Sequence, residues 1–120
     1  MYRTGRILIV DDESGIRDAC KLFLNSAGHE VDTADCAEKA LSMIAVADYD
    51  VALVDVQMPG MGGVALIPYL KEKNIVTVIV SGMITADVMM AHPFQCVHKP
   101  FTAAQLSLVV DEGIRFRDKK

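Results

Sequence analysis

The sequence lacks closely spaced cysteine pairs and long apolar runs, and each absence excludes a class of protein. Three cysteines, Cys20, Cys36 and Cys96, lie far apart without a CxxC pair, which argues against a disulfide framework and favours a reducing cytoplasm. No apolar run is long enough to cross a bilayer, and the first residues lead into a strand pattern instead of a signal peptide. We therefore expect a cytoplasmic protein with no membrane segment.

Basic charge is also scarce. The formal net charge is −4, and the sequence has no basic stripe that could bind a phosphate backbone. Direct nucleic-acid binding is therefore not expected, and the partners are expected to be proteins. What the chain does have is apolar content, 52% of its 120 residues. This is enough for one buried core, and we predict a single domain over residues 1–120.

Short apolar runs typical of β-strands recur five times and alternate with segments that carry helical stripes. The runs cover residues 6–10, 30–34, 50–55, 76–80 and 95–98. Alternating strands and helices of these lengths predict an α/β fold, a doubly wound parallel sheet of five strands with helices on both faces.

Local signals predict where some of the helices begin. Asp35 and Thr102 are each followed three residues later by Glu or Gln, the spacing of a capping box. Pro68 lies inside a helical stretch, so that helix is expected to begin near Ala65 or to bend at the proline.

One acid interrupts an otherwise apolar strand pattern in VALVDVQMPGMGG, residues 51–63. An isolated ionised carboxylate in a dry core costs several kcal/mol or more, roughly, unless it is paired. Asp55 is therefore expected at the carboxyl end of the strand, facing the crevice in which open α/β sheets bind ligands. The proline and glycines that follow let the chain turn away sharply.

Other polar residues follow the remaining predicted strands and should meet Asp55 at the same sheet edge. They are Asp11, Asp12 and Glu13 after the first strand, Ser81 and Gly82 after the fourth, and Lys99 and Pro100 after the fifth. Acids this close repel one another unless a cation neutralises them. Oxygen ligands alone favour Mg²⁺, or Mn²⁺, over zinc.

A carboxylate beside a divalent ion, a lysine and a hydroxyl has the parts needed for phosphoryl transfer, with Asp55 as the nucleophile. The segments LIVDDE, VDVQMPGMGG, VSG and HKPF, in this order over nearly the whole chain, resemble the receiver domain of two-component response regulators. The resemblance implies a flavodoxin-like (βα)5 fold with strand order 2-1-3-4-5. It implies a phosphorylated switch and not an enzyme that acts on outside substrates.

The same resemblance implies a role for each site residue. Asp55 would accept a phosphoryl group from the phosphohistidine of a histidine kinase or phosphotransfer protein. Mg²⁺ would be held by Asp11, Asp12, Asp55 and the backbone carbonyl of Gln57. Ser81 would be the switch hydroxyl, Lys99 would pair with the phosphoryl group, and the Lys99–Pro100 bond would be cis. The output domain or protein under its control is not specified.

Two features depart from the family pattern. Cys96 stands three residues before the lysine, where an aromatic ring is usual, and only 18 positions separate Ser81 from Lys99. We therefore predict a shortened fourth helix between the fourth and fifth strands, and an altered output partner or output geometry. Both departures concern the surface formed by the fourth helix and the fifth strand.

Other functions stay open beside this one. An aspartate-nucleophile phosphatase would need a second acid where Gln57 stands, and a flavodoxin-like electron carrier would need a phosphate loop rich in Ser and Thr after the first strand. A phosphorylation-independent interaction module with the same fold is the main alternative. A metal site at His92, Cys96 and His98 is a weaker one, because no fourth ligand follows.

Overall fold

The structure is a computed structural model that describes residues 3–58, 60, 62–82 and 96–119. Five parallel strands form one sheet in the order β2-β1-β3-β4-β5. They are β1 (Arg6–Val10), β2 (Glu30–Ala34), β3 (Val51–Asp55), β4 (Val76–Ser81) and β5 (Cys96–His98). The predicted sheet and strand order are confirmed.

Four helices lie in the described part of the chain. They are α1 (Ser14–Ser26), α2 (Ala37–Val46), α3 (Gly63–Glu72) and α4 (Ala103–Asp118). The shortened helix predicted between β4 and β5 falls on residues 83–95, outside the described residues, as does His92. That part of the expectation stays a prediction.

Helices cover both faces of the sheet and create two apolar clusters. On β3, Val51 and Leu53 pack into the cluster that includes α1 and α4, whereas Ala52 and Val54 pack into the cluster that includes α2 and α3. Successive side chains of a strand point to opposite faces, so a strand covered on both sides is apolar at every position. This explains why the sequence of β3 does not alternate, and why its acid stands only at the end.

The helix starts differ from the sequence expectations in two places. Helix α2 is capped by Cys36, whose Sγ accepts a hydrogen bond from the backbone N–H of Lys39 at 3.4 Å, so the predicted cap at Asp35 is wrong. Helix α3 begins at Gly63, two residues before the expected Ala65, and includes Pro68. The capping box at Thr102 is confirmed.

The amino ends of the strands carry a network of ion pairs. Asp50, which precedes β3, is held by Arg3 at 2.8 Å and by Arg117 of α4 at 2.9 Å. Arg3 also pairs with Asp118, and Arg117 with Asp48. The network joins the start of the chain and the end of α4 to the edge of the sheet opposite the strands' carboxyl ends.

Among residues 3–58, 60, 62–82 and 96–119, no helix is both long enough and apolar enough to cross a bilayer.

Candidate functional site

The carboxyl ends of four strands bring the predicted polar residues to one edge of the sheet. Asp11 follows β1, Asp55 ends β3, Ser81 ends β4 and Lys99 follows β5. Backbone hydrogen bonds fix two of these positions. The N–H of Asp11 donates to the backbone carbonyl of Ala34 at 3.1 Å, and the N–H of Lys99 donates to the backbone carbonyl of Ser81 at 2.8 Å. The sheet register therefore extends to the residues of the site.

Four acids form a cluster there. Carboxylate oxygens of Asp11, Asp12, Glu13 and Asp55 all lie within 4.8 Å of one another. Asp11 and Asp55 are buried, whereas Asp12 and Glu13 are exposed. The cluster is thus open to solvent on one side, where an ion could enter.

A single lysine contacts three of these acids. Lys99 Nζ lies 2.8 Å from Asp11 Oδ2, 3.1 Å from Glu13 Oε1 and 3.2 Å from Asp55 Oδ2. Burial by itself would lower the pKa of Lys99, but hydrogen bonds to Asp11 and Glu13 and the nearby negative charge outweigh burial and raise this pKa. The lysine is therefore held in its charged form.

Asp55 lies in a less favourable setting for a charged carboxylate. Burial raises the pKa of Asp55 and the charge of Asp11 raises it further, against the hydrogen bond that Asp55 Oδ1 accepts from the backbone N–H of Gln57 at 2.9 Å and the pull of Lys99. Negative charge is in excess at this edge. A bound cation would relieve that excess.

The donor set fits a hard divalent ion. The four acids offer only carboxylate oxygens, the ligands preferred by Mg²⁺ and Mn²⁺. Within the described residues this is the one cluster with such geometry, and Cys96 and His98 do not belong to it. His98 Nδ1 instead contacts the backbone oxygen of Lys99 at 2.9 Å.

The chain after Asp55 returns to touch it. Gly60 and Gly62 have positive φ angles of 79° and 81°, which glycine adopts without strain. Gly63 then starts α3 so close to β3 that a Cβ atom there would overlap the backbone carbonyl of Asp55. The sequence predicts the turn, but the close approach that requires glycine at 63 is visible only in three dimensions.

The predicted site residues have different outcomes. Asp11, Asp12, Asp55 and Lys99 come together, and Ser81 is fully buried directly after Val80, the residue that pairs with Asp55. The backbone N–H of Gln57 contacts Asp55, while ligation by its carbonyl stays a prediction. The Lys99–Pro100 bond is cis, as the resemblance implies.

Glu13 follows β1, as the sequence predicts, but the sequence pattern assigns it no role. The structure adds its contact with Lys99 across 86 positions of sequence. The position of Glu13 after a strand indicates that it lies near the site. The direction of its side chain, and with it the contact with Lys99, cannot be predicted from the sequence.

Together, the doubly wound parallel sheet and the acidic cluster with one lysine define a class of α/β proteins that bind ligands at the carboxyl edge. A family profile described as the response regulator receiver domain matches residues 7–111. The chain belongs to this family, whose members are phosphoacceptor switches and not classical enzymes.

Two curated relatives match over most of this chain. The transcriptional regulatory protein ResD of Bacillus subtilis is 30% identical over 118 residues, covering 92% of this chain and 48% of ResD. The cell cycle response regulator CtrA of Brucella ovis is also 30% identical over 118 residues, covering 88% of this chain and 50% of CtrA. The chain thus spans about half the length of these relatives.

Solved structures agree with the family assignment. A CheY-like receiver domain protein from Methanospirillum hungatei has a TM-score of 0.89 and 27% identity, with 98% of each chain covered. NtrX from Brucella abortus, solved in complex with ADP, has a TM-score of 0.89 and 28% identity, covering 98% of this chain and 28% of NtrX. The similarity to NtrX is confined to a part of that longer protein.

Proposed function

We propose that residues 1–120 form a single receiver domain that takes a phosphoryl group onto Asp55 from the phosphohistidine of a histidine kinase or phosphotransfer protein. The observation that carries this proposal is the position of Lys99, whose ammonium lies 3.2 Å from a buried carboxylate inside an acidic, solvent-open cluster. A nucleophile, a charge partner and a cation site occur together at one edge.

In the proposed reaction an oxygen of the Asp55 carboxylate attacks the phosphorus of the donor. An O–P bond forms and the P–N bond to the donor imidazole breaks; its electron pair goes to the imidazole nitrogen, which takes up a proton from solvent. The product is an acyl phosphate, which water later hydrolyses. The chain itself undergoes the chemistry, in keeping with a switch.

Each neighbour of Asp55 has a role in this proposal. The backbone N–H of Gln57 fixes the orientation of the carboxylate, Lys99 turns toward the phosphoryl oxygens, and the hydroxyl of Ser81 donates a hydrogen bond to them. Mg²⁺ or Mn²⁺ would be held by Asp11, Asp12, Asp55 and the carbonyl of Gln57, and when bound it would supply positive charge that offsets the phosphoryl oxygens.

The phosphorylated domain would then change how it contacts an output domain or protein. The lengths of ResD and CtrA, about twice the matched region, support an output unit in the same chain. We also propose a cytoplasmic location, which the wide spacing of the three cysteines in the sequence supports.

The test is intact mass spectrometry after incubation with acetyl phosphate and Mg²⁺. We expect one added phosphoryl group on the native protein, none on Asp55→Asn, and none when a chelator removes the metal. Asp48→Asn is the matched control, because Asp48 is an exposed aspartate at the opposite edge of the sheet, and this variant should be phosphorylated normally. The absence of any adduct on the native protein would favour a phosphorylation-independent interaction module.

A further inference from the structure

Glu13 occupies an unusual position at the edge of the site. It is the N-cap residue of α1, yet its side chain makes no capping hydrogen bond. The carboxylate reaches across to Lys99 instead, with Oε1 at 3.1 Å from Nζ. The side chain of Glu13 is 61% exposed, compared with 4% for Asp11 and 3% for Asp55.

This contact affects how many donors Lys99 has left. An ammonium group has three N–H donors, and Asp11, Glu13 and Asp55 supply one carboxylate partner for each. A phosphoryl group on Asp55 would need at least one of these donors for its own oxygens. It would also bring further negative charge close to Glu13.

We propose that Glu13 is a positioning residue that holds Lys99 in the unphosphorylated domain and must release it before Lys99 can pair with the phosphoryl group. The inference rests on the proposed function. Glu13 thereby lowers the tendency of the domain to enter its phosphorylated state, and it does so without binding the phosphoryl group itself.

Of the three acids that contact Lys99, Glu13 is the one whose contact can be broken at the lowest cost in free energy. Asp11 is buried, and its Oδ1 accepts a hydrogen bond from the backbone N–H of Glu13 at 2.9 Å. Asp55 is buried and would itself be the site of phosphorylation. The pair with Glu13 is the most exposed of the three contacts of Lys99, and exposure weakens an ion pair, so the contact with Glu13 can be reversed.

The first experiment uses beryllium fluoride, BeF₃⁻, as the mimic of a phosphoryl group on Asp55. The chain has no tryptophan, so binding is followed by calorimetry or by ¹⁹F NMR. At saturating Mg²⁺ we expect Glu13→Gln to bind BeF₃⁻ about two- to fivefold more tightly than the native protein. Without BeF₃⁻, the same variant should bind Mg²⁺ more weakly, because the cluster has lost a negative charge.

These opposite changes distinguish a hold on Lys99 from a general loss of structure, which would weaken both. Asp18→Asn is the matched control, since it removes one exposed charge from the same helix and should change BeF₃⁻ affinity by less than Glu13→Gln. If the native protein binds BeF₃⁻ and Glu13→Gln binds it equally or less well, the inference is overturned and the proposed function stands. If the native protein does not bind BeF₃⁻, both are overturned.

A second experiment tests the contact itself without metal or anion. The melting temperatures of the native protein, Glu13→Gln, Lys99→Met and the double variant form a mutant cycle. With Lys99 removed, Glu13 loses this cationic partner and stays beside Asp11, Asp12 and Asp55, so Glu13→Gln should be more favourable in the Lys99→Met background by about 1–4 °C. An equal effect of Glu13→Gln in both backgrounds would show that the two side chains do not interact in solution.

Discussion

Asp50 is predicted to make the stability of the domain depend on pH in the acid range. Burial would raise the pKa of this carboxyl, but hydrogen bonds from Arg3, from the backbone N–H of Arg6 and from Arg117 outweigh burial and lower the pKa to about 2. The ordinary value is 3.8. At about 1.4 kcal/mol per pKa unit, the difference amounts to about 2 kcal/mol.

The sign follows from proton linkage. A carboxyl whose pKa is lower in the folded state stabilises the fold when it is ionised. The contribution of Asp50 is therefore fully present above about pH 4 and is lost as the pH falls toward 2. Its side chain is only 12% exposed, so solvent screens it weakly.

The assay is urea denaturation of the native protein and of Asp50→Asn between pH 7 and pH 2.5. We expect a difference in unfolding free energy of about 2 kcal/mol or more at pH 7, which narrows as the pH falls below 4. Asp48→Asn is the control, because Asp48 contacts the same Arg117 at 2.8 Å but is 71% exposed, and it should cost at most about 1 kcal/mol. A difference for Asp50→Asn that stays constant over this range would refute the reasoning.

Three further predictions concern the carboxyl edge. Asp55→Asn should raise the melting temperature of the metal-free protein at pH 7, because burial and the charge of Asp11 raise the pKa of Asp55 and make its ionised form unfavourable; an unchanged or lower melting temperature would contradict this. Mg²⁺ at 100 times its dissociation constant for the native protein should stabilise that protein by about 2.7 kcal/mol. At the same Mg²⁺ concentration, thermal melts should show a smaller stabilisation of Asp12→Asn. Gly63→Ala should cost about 1–3 kcal/mol and slow phosphorylation by acetyl phosphate, because its Cβ would overlap the Asp55 carbonyl. Gly15→Ala, where a Cβ meets nothing within 4 Å, should do neither.

The sheet and the order of the site residues could be predicted because they depend on local patterns. Five apolar runs separated by helical stripes determine the number of strands and their parallel direction. Once the strands are parallel, residues that directly follow them share one edge. Asp55 and Lys99 could therefore be brought together from the sequence, although 44 positions separate them.

Features that depend on side-chain direction were not predictable in this way. Asp35 has the residue type and spacing of an N-cap, yet Cys36 caps α2, because the backbone path out of β2 decides which side chain faces the helix amides. To predict the contact between Glu13 and Lys99, one would likewise need to know the direction of an exposed side chain. Sequence spacing does not contain that information.

The two edges of the sheet use charge in opposite ways, and this difference separates stability from function. At the amino edge Asp50 is shared by Arg3 and Arg117, and its pKa is lowered. At the carboxyl edge four acids cluster around one lysine, Lys99, which contacts three of them, and the pKa of Asp55 is raised. Pairing each acid with its own cation there would stabilise the apoprotein but would leave no excess charge to attract a metal ion. The excess of acids over cations at this edge is therefore better explained as a binding site, whose unfavourable electrostatic energy is offset by the stability of the rest of the fold.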